Sequence, residues 1–290
     1  MKPVYIKMND DFMISAALYE NENPKALVQI IHGAVEHKGR YENFAAFLQK
    51  NGYTVIVTDN RGHGESVGAG YPLGRMDNVQ RIVEDQAAVS EWIKDKYPGK
   101  KLYLVGHSLG TVFARCFLQE NDAQIEKLVL SGTVPYKQAS GVGILLGRVI
   151  VSLHGEDKCC ELFRDLSGLG GRDDSWVVSD QASLEAYHKD PLCGYKYPNI
   201  STLTMIRAVK ELHHWEAFKV RNPKLPIMSI TGANDPITGG RKGLNSVKED
   251  LLRLGYPKMI NKVYDNMSHE VLNETEKEKV YQDVLRFFED

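Results

Sequence analysis

The sequence predicts an α/β protein: a mostly parallel, eight-stranded sheet flanked by helices, with a helical cap inserted between two of its later strands. Three observations carry this expectation. Short β-branched and apolar runs alternate with helical patterns along most of the chain, the signature of a parallel sheet with crossover helices. One such run leads straight into Gly106-His107-Ser108-Leu109-Gly110 and then into a helical pattern. The alternation fails between about residues 134 and 223 and then resumes.

In chain order, residues 4–8 and 14–19 read as two opening strands joined by the turn Asn9-Asp10-Asp11. Residues 26–31 form a buried strand ending at His32-Gly33, and a helix over 41–50 is closed by the stop signal Asn51-Gly52. Residues 53–58 are β-branched and apolar, as in a central strand. An amphipathic helix covers Val79–Lys96 and stops at Tyr97-Pro98-Gly99. A strand over 102–106, a helix to about 119 and the strand Lys127–Ser131 follow. After the interruption come a strand over 226–231, a helix over 242–254, a strand over 260–264 and a C-terminal helix. Long structureless loops are uncommon in compact domains. The interruption is therefore read as a helical cap at 134–223 on a core made of 1–133 and 224–290, the alternative being further strands of the main sheet.

A chain of 290 residues buries a substantial core without staples. A net charge of −2 offers no electrostatic case for nucleic acid or an anionic membrane as the main partner. The cysteines Cys116, Cys159, Cys160 and Cys193 lack metal-ligand spacing and suit reduced thiols. The N-terminus carries no signal-like apolar run. The longest apolar stretch, 142–153, is broken by Gly143, Gly147 and Arg148 and falls short of the roughly 20 residues a span requires. These features predict a cytoplasmic protein without stable membrane insertion, and nothing in them sets an oligomeric state.

The pentapeptide around Ser108 matches G-x-S-x-G. Alone it is weak, since composition yields it by chance in about one chain in ten of this length. Its place between strand and helix is what a nucleophile elbow of the α/β-hydrolase fold requires. A serine there has strained dihedrals, and small flanking residues let neighbouring chain pass close by. Serine needs a base to take its proton, and on this fold the chain order is Ser, acid, His. His269 follows the last strand, whereas His213 and His214 fall on a helical stretch of the cap. The loop Gly232-Ala233-Asn234-Asp235-Pro236 carries one carboxylate, Asp235, between elbow and histidine. The catalytic residues expected are therefore Ser108, Asp235 and His269. The oxyanion donors expected are the Leu109 amide and, from His32-Gly33-Ala34-Val35-Glu36-His37, the Ala34 amide. Reading His32 and His37 as a metal pair is disfavoured, because H-x₄-H in a loop is not the helical zincin spacing.

With these residues in place, the chain resembles the monoacylglycerol lipase and bacterial lysophospholipase branch of the α/β hydrolases, the serine aminopeptidase S33 group. The matching blocks run nearly end to end: the His32–His37 hexapeptide, Asp59-Asn60-Arg61-Gly62-His63-Gly64-Glu65-Ser66, the elbow, Asn234-Asp235-Pro236 and Ser268-His269-Glu270-Val271-Leu272-Asn273-Glu274. The resemblance implies a helical cap over an apolar acyl pocket, no cofactor, and small ester or lipid-like substrates such as monoacylglycerols or lysophospholipids; that no His, Cys and Asp cluster has ligand spacing adds the expectation of no metal. It also makes the Asp59–Ser66 block a structural turn. Thr111 stands where relatives often carry Gly, Val35 departs from the usual Gly, and the cap matches loosely, mainly at Asp190-Pro191-Leu192-Cys193-Gly194.

The function expected is a carboxylic ester hydrolase working through an acyl-enzyme. The rivals are a peptidase or amidase with the same triad, a cofactor-free lyase or perhydrolase, and a non-catalytic binding module, which would be expected to lose a triad member. Within the cap, residues 142–153 leave almost no polar face, and a helix apolar all round is buried or lines something apolar. Ile144 and Leu145 are its candidate substrate contacts.

Overall fold

The computed structural model describes residues 1–168 and 174–290, so residues 169–173 of the expected cap lie outside the described residues. Its eight strands form one sheet in the order β1-β2-β4-β3-β5-β6-β7-β8. The strands are β1 (Lys2–Lys7), β2 (Met13–Tyr19), β3 (Leu27–Ile31), β4 (Thr54–Thr58), β5 (Leu102–His107), β6 (Lys127–Ser131), β7 (Ile227–Gly232) and β8 (Met259–Tyr264). Only β2 runs antiparallel to its neighbours, β1 and β4; every other pairing is parallel. The strands β3, β4 and β5 are buried at every position, which is why their sequences are continuously apolar rather than alternating.

Side chains alternate across the sheet. On one face, Leu102 and Leu104 of β5 join a core with α2 (Val79–Lys96) and α3 (Leu109–Asn121). On the other face, Tyr103 and Val105 pack with α1 (Glu42–Lys50) and the C-terminal α9 (Lys277–Glu289). The expected helix over 41–50 is split: a short 3₁₀ turn, Lys38–Tyr41, precedes α1 and is capped by the His37 side chain.

Between β6 and β7 the chain is helical, with α4 (Ser140–His154), α5 (Glu161–Ser167), α6 (Gln181–Lys189) and α7 (Asn199–Glu211). A small cluster of its own holds this segment together: Ile150, Phe163, Ile200 and Leu203, flanked by Ile144, Val151, Cys160 and Ile206. The far end of α7, through Ala208 and Val209, and Leu212 just beyond it belong to the main core instead. After β7, α8 (Gly240–Leu254) completes the layer on the α2 and α3 face.

The expectation that every apolar side of α4 is buried or lines something apolar needs correction. Leu145 is 65 % exposed, and Val142, Val149 and Leu153 are also exposed. None of the described helices is long and apolar enough to cross a membrane.

Apart from the exposed Glu65, the Asp59–Ser66 block is a buried scaffold. Arg61 is clamped between Asp85 and Asp10, and Asp59 accepts the Lys38 and Glu65 amides at 2.7 and 2.8 Å. None of its residues lines the cavity described next.

Candidate active site

Ser108 sits at the junction of β5 and α3 with φ 51° and ψ −119°, a strained conformation for a side chain with a Cβ. The flanking glycines allow it. A Cβ at Gly106 would stand 2.4 Å from the Gly110 carbonyl oxygen, and one at Gly110 would stand 2.2 Å from the Ile31 carbonyl oxygen. The Ser108 amide donates to the Ser131 carbonyl at 2.9 Å, which ties the elbow to β6.

Asp235 lies in the loop after β7 and His269 in the loop after β8. The Asp235 Oδ2 atom is 2.8 Å from His269 Nδ1, and both side chains are almost wholly buried. The carboxylate also accepts from the Thr238 hydroxyl at 2.6 Å, the Thr231 hydroxyl at 3.1 Å and the Ile237 amide at 2.7 Å. Burial works to raise its pKa, but His269 and these donors together hold the carboxyl well below the usual carboxylate range. Asp235 is therefore ionised at neutral pH. It fixes the imidazole with Nδ1 as donor and Nε2 facing away. That Nε2 is buried and has no hydrogen-bond partner among the described residues. The His269 ring is held by Trp176 at 5.2 Å and by His107 at 4.8 Å between centroids. Burial lowers the pKa of His107, so it stays neutral beside His269.

A cavity of about 570 Å³ opens over these groups, lined by Ser108, His269, Ala34 and Leu109 as well as by residues of the segment between β6 and β7. Its apolar wall includes Val134, Leu146, Leu166, Met205 and Ile237. The Ala34 amide makes no hydrogen bond to any described residue, and Leu109 opens α3, where an amide has no acceptor within the helix. Both are the groups expected for the oxyanion.

The expected contacts Ile144 and Leu145 are not in the cavity wall. Ile144 packs into the small cluster between β6 and β7 and Leu145 points to solvent, while Ser140, Val142, Gly143 and Leu146 supply α4's share of the lining. Nor do His32 and His37 pair. His32 is buried, with Nδ1 donating to the Gly33 carbonyl at 2.8 Å and Nε2 accepting the Asn60 amide at 2.8 Å. His213 lies against Asp250 at 3.0 Å and stacks on Tyr136, away from the cavity.

Sequence reasoning did not single out three features of the site. Trp176, from the helical segment between β6 and β7, accepts the His269 amide through its carbonyl at 3.2 Å. Glu36 lines the cavity and is fully buried. Its Oε1 accepts from the Gly33 amide and from the Tyr41 hydroxyl, and burial followed by the Glu270 charge raises its pKa to about 8. Tyr197, also in the cavity wall, binds the Val35 amide at 3.1 Å and His63 at 2.6 Å. Glu36 was visible as part of the His32–His37 block; Trp176 and Tyr197 carry no local signal.

The family model described as serine aminopeptidase, S33, matches residues 22–276. The chain is 26% identical over 268 residues to the monoacylglycerol lipase of Mycolicibacterium smegmatis, covering 90% of this chain and 87% of that one. It is 29% identical over 169 residues to the human monoglyceride lipase, covering 58% of this chain and so spanning about half (52%) of that relative. Among solved structures, a thermostable carboxyl esterase from Bacillus coagulans superposes with a TM-score of 0.87 at 20% identity, over 99% of this chain and 97% of the other. That likeness establishes the α/β-hydrolase fold.

Proposed function

Because the chain belongs to the serine aminopeptidase, S33, family, we propose that it is a carboxylic ester hydrolase acting on single-chain acyl esters of the monoacylglycerol and lysophospholipid class. The observation that carries this reading is the buried Asp235–His269 pair, whose unpartnered Nε2 shares a largely apolar cavity with the strained Ser108. In the first step Ser108 Oγ attacks the ester carbonyl and His269 Nε2 takes its proton. The Ala34 and Leu109 amides hold the oxyanion, and Asp235 stabilises the imidazolium. His269 then protonates the departing alcohol, and water repeats the cycle on the acyl-enzyme.

Two observations favour an ester over a peptide. The cavity wall suits an acyl chain. An aminopeptidase also needs a carboxylate free to hold the substrate's ammonium group. Of the carboxyls at the cavity, burial pushes Glu36 toward its neutral form, Glu270 is committed to Arg40 at 2.5 Å, and Asp174 lies 3.2 Å from His188. The names of the human and mycobacterial relatives point to the same substrate class.

A fluorophosphonate probe tests the nucleophile. Labelling should fall on one serine, and Ser108→Ala should abolish both labelling and turnover; labelling that survives would refute the assignment. A panel of glycerol esters, nitrophenyl esters and aminoacyl amides tests the substrate class, and preference for the amides would overturn it.

A further inference from the structure

Where the cap meets the loop after β3, three donors of different chemistry converge. The ligand atoms of His37, Asp190 and Cys193 all lie within 4.8 Å of one another. They come from two distant chain segments: His37 ends the loop that carries Ala34, and the other two sit in the turn after α6. Local contacts already hold two of them in place. His37 Nε2 is 2.8 Å from Asp190 Oδ2, and the Gly39 amide donates to His37 Nδ1 at 3.3 Å. The other Asp190 oxygen accepts the Leu192 amide at 2.9 Å. Cys193 is buried at 8 % exposure, and burial first, then the neighbouring acidic groups, pushes its thiol up, so that the free side chain is protonated. None of the three residues lines the cavity over Ser108.

We propose that His37, Asp190 and Cys193 form a binding site for one zinc-class divalent cation. One imidazole, one carboxylate and one thiolate form a borderline-soft donor set, and a water completes the tetrahedron zinc prefers. The Asp190 carboxylate supplies the negative charge that favours a cation here. On binding, the Cys193 S–H proton leaves to solvent and the thiolate becomes a ligand. The single proton of the neutral His37 ring passes from Nε2 to Nδ1, which gives up the 3.3 Å bond from the Gly39 amide, so that Nε2 becomes a ligand and no atom changes oxidation state. The donors span the junction between cap and loop. Beside them the Gly194 amide already donates to the Val35 carbonyl at 2.8 Å. A bound ion therefore clamps the cap to the segment that carries Ala34 and slows turnover. This inhibitory consequence rests on the ester-hydrolase reading; the binding does not.

The full-length protein, stripped with a chelator, is titrated with Zn²⁺ by calorimetry and with Co²⁺ by absorption, where a thiolate ligand gives a charge-transfer band. The expected result is one equivalent bound with the band present. Cys193→Ser should remove the band, and both Cys193→Ser and Asp190→Asn should weaken Zn²⁺ binding at least about tenfold, the range set by loss of a ligand or its support. The double variant Cys159→Ser/Cys160→Ser should bind like the parent. Absence of binding, a Cys193→Ser variant that titrates like the parent, or loss of binding in the double variant would overturn the site. Saturating Zn²⁺ should slow ester turnover by the parent and not by Cys193→Ser. Unchanged turnover by a saturated parent would overturn the clamp, whereas an inactive metal-free parent would instead count against the ester-hydrolase reading.

Discussion

Replacing Tyr197 with Phe removes a single oxygen and should damage turnover far more than substrate binding. In the structure that hydroxyl lies 3.1 Å from the Val35 amide and 2.6 Å from His63 Nε2. His63 Nδ1 faces the Arg61 carbonyl at 3.1 Å, which can only accept, so Nδ1 carries the proton. Tyr197 therefore donates to Nε2 and accepts from Val35. Burial lowers the His63 pKa to about 4, so the ring is neutral at neutral pH and the direction of the chain is fixed. Tyr197→Phe strands a part-buried amide and a buried ring nitrogen, the latter costing about 1–3 kcal/mol when unpaired and the former less. Val35 holds φ at 51°, which is unfavourable for a β-branched residue, and it keeps that conformation against the pull to relax. Without its acceptor the peptide turns, and Ala34, the neighbouring oxyanion donor in the proposed mechanism, turns with it. Complete loss of one such donor costs roughly 2.7–4 kcal/mol, or about 10²–10³ in kcat. The expected fall in kcat lies between about tenfold and that limit, with KM little changed. Steady-state hydrolysis of a short nitrophenyl ester, measured well below the melting temperature, checks this. A lowered Tm with unchanged kcat would refute the coupling and leave Tyr197 a packing residue.

Asp235→Asn should leave the fold intact by circular dichroism yet lower kcat about 10⁴-fold, the size of the serine-protease precedent; near-normal activity would point to another partner such as Asp265. Glu36 keeps its proton in the folded protein up to about pH 8, while the unfolded chain releases it near the ordinary 4.5. Its contribution to stability is fully present below the unfolded value and is lost as pH rises toward the folded one, at up to about 1.4 kcal/mol per pH unit. Glu36→Gln should flatten that slope in urea titrations across the interval, and an unchanged slope would show that Glu36 does not carry it. Val142→Ser and Leu146→Ser should slow decanoyl more than acetyl ester hydrolysis, since each buried methylene contributes about 0.8 kcal/mol; equal losses on both esters would remove the acyl chain from this wall.

Much of the fold was legible because parallel strands in this architecture are continuously apolar and are punctuated by turn signals. The strands agree with their sequence-based bounds to within about two residues, the usual scatter at element ends. The candidate site was legible for a related reason. The elbow, the acid loop and the histidine loop each follow a particular strand, so chain order stands in for geometry. Contacts that join cap to core had no such proxy. Tyr197 reaches Val35, and His37 reaches Asp190, across more than half the chain, and no local pattern marks either pair.

The misassigned cap contacts show where a legible signal was taken for something else. Gly143 and Gly147 interrupt the apolar run in α4, and the sequence reading treated them as breaks in a possible membrane span. They are the face on which α4 approaches its neighbours. A Cβ at Gly147 would stand 2.6 Å from Phe163 and 2.9 Å from Leu203, and one at Gly143 would stand 3.3 Å from Ile206. With about 100° between successive residues of a helix, that face fixes the rotation of all the others. Leu145 falls nearly opposite the glycines and must point away from α7, as its exposure shows. Val142 and Leu146 fall on the flank that turns toward the cavity, and Ile144 on the flank that packs on α7. An apolar run therefore states only that a helix has much to bury. Two small residues one turn apart state which side is buried first, and from that side the substrate-facing positions follow.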